Sequence, residues 1–161
     1  MANIQMRGLD EYTRALSRLD LIARDRVCGK AIYAGAKVVA DAIKAAISEL
    51  PEGKGRGTPE NPLAGPSRPQ KKGLLAGFGI TPMREDNGFL NVKAGFAGYN
   101  GVKTKRWPNG QPNAMVARSV ERGTSFMRPN PFVKKAVAAT RRAAIETMKK
   151  SVEENIEDQM K

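Results

Sequence analysis

Apolar positions recur along this chain in two rhythms, and each predicts its own kind of element. From Val27 to Leu50, the residues Cys28, Ile32, Gly35, Val39, Ile43, Ala46, Ile47 and Leu50 fall within a narrow sector at 100° per residue. Lys30, Lys37, Asp41, Lys44 and Ser48 take the opposite side. The pattern predicts a long helix with one buried face, ended by Pro51, which cannot continue it. Ala31, Ala34, Gly35 and Ala36 are small enough to let a neighbouring element approach closely. Cys28 lies on the apolar side with no base beside it, so it is expected in the core rather than as a nucleophile. Ahead of this helix, Ile4 and Met6 alternate with polar residues, which predicts a short strand closed by Gly8. Leu9, Tyr12, Leu16 and Leu19 then follow a helical spacing, with Asp10 and Glu11 near the favourable end of its dipole.

The second rhythm has period two. Leu74, Ala76, Phe78 and Ile80 alternate, as do Leu90, Val92, Ala94 and Phe96. Asn87-Gly88 between them supplies the turn of a β-hairpin, one face of which is expected to pack on the long helix. Pro51–Lys72 and Tyr99–Asn113 show no period and are expected as long loops, the first a flexible basic arm that orders on assembly. The GKGRG stretch in that arm lacks the G-x-x-x-x-G-K-[ST] order of a phosphate loop, and no apolar strand precedes it. Ala114–Val120 fits either a last strand or a short helix.

The segment Met115–Phe132 opens as a short apolar stretch that stops at Gly123; Thr124 and Ser125 follow, and the chain restarts at Asn130-Pro131. Asn suits a helix N-cap and Pro the first helical position, so a second long helix is expected from Asn130 or Pro131 to Gln159. Its stripe is Val133, Val137, Ala144, Met148, Val152 and Ile156; steps of four gain about 40° each, so the stripe leans around the helix. Lys134/Lys135, Arg141/Arg142 and Lys149/Lys150 share a face beside it, either a solvated face or a surface for an anionic neighbour. The tail Glu153–Asp158 is acidic, which would suit head-to-tail contact between identical subunits.

The formal charge of +12 favours an anionic partner, whether nucleic acid, an acidic protein surface or a membrane face. No run of about 18 apolar residues predicts a membrane span. The start, MANIQMRGLDEY, lacks the apolar core of a secretory signal. One cysteine rules out an internal disulfide and fits a reducing compartment. The chain has no histidine, which removes the commonest general base and metal ligand. The serines have no nucleophile context, and Glu52, Glu60, Glu85 and Asp86 lie in expected loops or turns with nothing to organise a metal. No catalytic, cofactor or metal site is therefore expected. Lys103, Lys105 and Arg106 beside Trp107 form a cation-plus-aromatic group that suits a nucleic-acid backbone or base, or else a loop tip anchored by one tryptophan.

The order of these pieces resembles a known family. Ile-Gln-Met-Arg-Gly-Leu-Asp-Glu ends the first strand, two helices follow, and Lys-Gly-Leu-Leu opens the hairpin. Val120-Glu121-Arg122-Gly123-Thr124 then pairs with Pro131-Phe132 at the head of the terminal helix. The chain resembles the tail-completion or minor-tail-component family of long-tailed bacteriophages, encoded among the head–tail joining proteins. The family more often carries an aromatic where Arg122 stands, and its loop at Pro51–Lys72 is usually shorter. The resemblance implies a single α+β structural domain over residues 1–161, without enzymatic activity. Its expected architecture is two long amphipathic helices packed on a small antiparallel sheet, with long loops. It implies a virion protein made in the host bacterial cytoplasm and placed in the neck or head-proximal tail. Its partners there would be head-closure, tail-terminator and tail-tube proteins and further copies of itself, in a ring around the DNA channel. The expected contact surface is Glu121, Gly123, Thr124, Pro131 and Phe132, with Lys103, Lys105 and Arg106 facing DNA. A basic nucleic-acid-binding module is the alternative.

Overall fold

The first long helix forms where its apolar ladder requires it. The structure, a computed structural model, describes Ser17 and residues 24–160. The strand expected at Ile4–Met6 and the helix expected at Leu9–Leu19 lie outside the described residues. A single π-helical turn, Arg24–Cys28, runs into α1, Gly29–Glu49. Ala31, Gly35, Ala40, Ile43 and Ile47 point inward. Leu50 leaves the helix in an extended conformation with ψ 134°, as a residue before proline prefers. Cys28 corrects the expectation. It is exposed, and Val27 takes the core position. A π turn closes i→i+5, so a constant 100° step assigns the wrong phase to it.

The long helices pack chiefly on each other, and the base of the hairpin packs on α1 as well. Helix α4, Phe132–Met160, runs antiparallel to α1. Near one end Lys30 Nζ donates to Asn155 Oδ1 at 3.1 Å. Midway Gly35 lies against Ala144 and Met148. At the other end Ala46 and Leu50 join Phe132 and Ala136 in one core cluster. A Cβ at Gly35 would collide with the Met148 side chain and come within 3.2 Å of the Ala144 carbonyl, so this glycine sets the helix spacing. The inward residues of α4, buried or half-buried, step by four: Phe132, Ala136, Thr140, Ala144 and Met148. The lean of the stripe is as expected, but it starts one residue earlier. Val137 is consequently exposed; Ile156 is exposed as well, at the end where Asn155 meets Lys30.

The segment expected as loop to Lys72 and strand from Leu74 holds a helix, α2, Arg68–Gly77. Pro69 sits in its first turn, and Gln70 Oε1 accepts the Ser67 N–H at 2.9 Å. Those start signals outweigh the alternation of Leu74, Ala76, Phe78 and Ile80. Leu74 is fully buried on the helix. Residues 51–67 fold back on themselves and onto the chain ahead of α4. Gly53 donates to the Pro66 carbonyl, Leu63 to the Phe126 carbonyl, and Arg128 to the Leu63 carbonyl. Ala114–Val120, which fits either a strand or a helix in the sequence, is helical, within α3, Asn113–Arg122.

The hairpin is present, but as two short sheets. Strand β1, Phe78–Ile80, pairs antiparallel with β4, Ala94–Phe96, in the register Phe78 to Phe96. Strand β2, Arg84–Asp86, pairs antiparallel with β3, Phe89–Asn91. Pro82, which has no N–H, falls where the ladder breaks. Asn87 and Gly88 have φ of 51° and 82°, the left-handed pair of the expected turn. The base of the hairpin joins the core: Phe78 and Phe96 rings lie 5.0 Å apart, and Phe96 meets Phe132 edge-on at 6.2 Å. Among the described residues the fold is therefore mixed α+β, four helices with two antiparallel two-stranded sheets.

Candidate functional site

The sequence singled out Glu121, Gly123, Thr124, Pro131 and Phe132, and the structure gathers them into one joint between α3 and α4. The first N–H groups of a helix have no partner within it. At α4 they are met by Glu121 on the last turn of α3: Oε2 accepts Val133 N–H at 2.9 Å and Oε1 accepts Lys134 N–H at 3.0 Å. A carboxylate at that end also matches the helix dipole. Asn130, expected as the cap, contributes its backbone instead, donating to the Val120 carbonyl and accepting from Phe132. Gly123 leaves α3 with φ 74°, and a Cβ there would collide with Pro129. Thr124 exchanges backbone hydrogen bonds with Met127 across a four-residue turn. Pro131 is half-buried, and Phe132 is buried against Phe96. Four of the five thus serve the joint itself. What the joint presents to water is Phe126, 55% exposed at the tip of the turn, which the sequence reading passed over.

Lys103, Lys105 and Arg106 lie elsewhere, on the 99–112 loop. Its ends are tied by Asn100 N–H donating to the Gln111 carbonyl and by a bridge between Tyr99 and Pro112. Asn100 Oδ1 also accepts from the Val102 and Gln111 amides. At the tip, Thr104 and Trp107 exchange backbone hydrogen bonds. The Arg106 guanidinium lies 5.7 Å from the Trp107 ring centroid, within cation–π range. All three cations are exposed, and none has a carboxylate partner among the described residues.

Helix α4 carries its charges in reverse. Its first turn has no acidic residue and its last no basic one. Lys134, Lys135, Arg141 and Arg142 crowd the N-terminal half, while Glu153, Glu154, Glu157 and Asp158 crowd the C-terminal end. Lys134 and Lys135 in the first turn and Glu157 and Asp158 in the last oppose the helix dipole, at a cost of about 0.3–1 kcal/mol for a charge in a terminal turn. Lys149 and Lys150 pair locally with Glu146 and Glu154. Between Asn87 and Ile145 the only carboxylate is Glu121, already committed to the α4 amides, against eleven Lys and Arg side chains.

Two exposed aromatics complete the surface. Phe89 is 75% exposed beside the hairpin turn, and Tyr99 is 65% exposed at the start of its loop. Among the described residues no cluster of His, Cys, Asp or Glu side chains has the grouping to hold a metal ion, and no helix is long and apolar enough to cross a membrane. Comparison with protein-family models, curated proteins and solved structures finds no match.

Proposed function

We propose that this chain is a non-enzymatic structural subunit of a tailed bacteriophage that acts in head–tail joining or tail completion, as one member of a ring around the DNA channel. The observation that supports it most is the reversed charge of α4. The acidic end opposes the helix dipole, and the cations of the head have only the Glu121 carboxylate to offset them, whereas basic head and acidic tail are complementary between copies. Head-to-tail contacts of that kind are heterologous, and they form a ring when the rotation between neighbours closes. Phe89 and Phe126, set on ordered projections, are apolar groups that neighbouring subunits would cover. Joining or tail-completion activity comes from the sequence resemblance.

The test is mass by light scattering on the purified chain, paired with negative-stain images of particles assembled with and without it. A ring, or a monomer whose omission leaves heads and tails unjoined or tails malformed, supports the reading. A monomer at all concentrations, with normal particles in its absence, overturns it.

A basic nucleic-acid-binding module is favoured by a specific observation of its own, the unpaired cations of the 103–106 turn. It predicts affinity that falls steeply with salt and is lost when Lys103, Lys105 and Arg106 are all changed to Glu. Binding that survives the triple change would remove that turn from the interface.

A further inference from the structure

A cleft of about 830 Å³ lies between α2 and the first residues of the 99–112 loop, apart from both surfaces singled out in the sequence. One wall is the outer face of α2, where Arg68 and Lys72 stand one turn apart, about 6 Å along the axis. Their neighbour Lys71 turns inward instead, donating to the Leu50 carbonyl at 2.8 Å beside Glu52. Arg68 and Lys72 are exposed, with no carboxylate partner among the described residues. The opposite wall is Tyr99, whose ring is largely exposed and stacks on nothing among the described residues. The floor is Gly73, where a Cβ would collide with Asn100, so the loop lies directly on the helix backbone. Asn100, only 6% exposed, lines the cleft as well, and its Nδ2 donor has no acceptor among the described residues.

We propose that this cleft binds a single-stranded nucleic acid, with one unstacked base on Tyr99 and two flanking phosphates on Arg68 and Lys72. A flat aromatic face opposite paired cations fits a ligand that offers a π-face and regularly spaced negative charges together. A duplex offers only the charges, because its bases are stacked away. The site goes beyond the assembly reading, which needs no base contact, and it shares no residue with the 103–106 turn.

The test is fluorescence anisotropy of the full chain with a labelled twelve-nucleotide oligothymidylate and with a duplex of equal length, each over a salt series. The expected result is tighter binding of the single strand. Tyr99→Leu should weaken it about tenfold and leave the duplex unchanged, whereas Tyr99→Phe keeps the affinity, since stacking needs only the ring. Arg68→Glu with Lys72→Glu should lower the salt slope for the single strand by about 1.4, two phosphates at about 0.7 each. These side chains are exposed, and unchanged thermal melts verify that each variant folds. Oligothymidylate affinity unaltered by Tyr99→Leu and by the double reversal overturns the site, as does a wild-type chain that prefers the duplex or binds neither. Lys103→Glu/Lys105→Glu/Arg106→Glu, run in parallel, separates the two outcomes: loss there alone leaves the turn as the nucleic-acid surface and removes the cleft.

Discussion

The two long helices lie side by side yet are specified in different ways. Helix α1 carries its instructions along its length: Ala31, Ala40, Ile43 and Ile47 are buried on one face, with lysines on the other. Helix α4 has a weaker ladder of mostly small residues, and its charges oppose its dipole. It is fixed at its head, by Glu121 on its first amides and Phe132 in the aromatic cluster. A helix can thus be determined by its own periodicity or by the segment that delivers it. The second kind leaves its outer face free to serve something else.

The largest break in this comparison should come from Ile47→Ala, which empties a fully buried site on the α1 ladder. A loss of about 2–5 kcal/mol is expected, measured by denaturant melts. Next is Gly35→Ala, which forces a methyl into Met148 and the Ala144 carbonyl. Overpacking of that kind costs about 1–3 kcal/mol, and Met148→Ala in the same chain should recover part of it. Glu121→Ala should cost about 0.5–2 kcal/mol, the range for losing a helix cap. Its signature is local: faster hydrogen exchange at the Val133 and Lys134 amides with α1 unchanged. Equal loosening of α1 would mean that the two helices are one unit and that the distinction fails. The smallest effect sharpens the contrast most. Glu157→Lys, in the last turn, should stabilise the monomer by a few tenths of a kcal/mol to about 1 kcal/mol, by matching the dipole, while weakening self-association in light scattering. Loss of both stability and association would leave the reversed charges without the assembly role proposed for them.

The difference also explains what was legible. α1 and the hairpin turn were readable because a 100° ladder and an Asn-Gly pair are local signals. α2 runs against the alternation from Leu74 to Ile80, because the start signals at Ser67–Gln70 outweigh that accidental pattern. Cys28 was misplaced by a π turn that no periodicity announces. At the joint, Glu121, Gly123 and Phe132 stood out in the sequence, but that Glu121 caps a helix starting eleven residues later depends on how the chain doubles back. The Tyr99 cleft could not be anticipated either, since it joins residues about thirty positions apart across a helix still read as loop and strand. The close side-by-side packing of the two long helices has the same origin. Gly35 reads as small, and only Met148 shows what its smallness is for.

The antiparallel pairing of α1 with α4 also sets a timetable. Lys30 finds Asn155 across 125 positions of sequence, so the face that α1 was built to hide has its main cover at the far end of the chain. During synthesis Ile43 and Ile47 leave the ribosome about a hundred residues before that cover is complete, roughly 5–20 s at ordinary elongation rates. The nascent chain therefore passes through a sticky half-made stage, and contacts this distant in sequence close slowly. Expression yield should accordingly respond to chaperone supply more than the stability of the finished fold suggests.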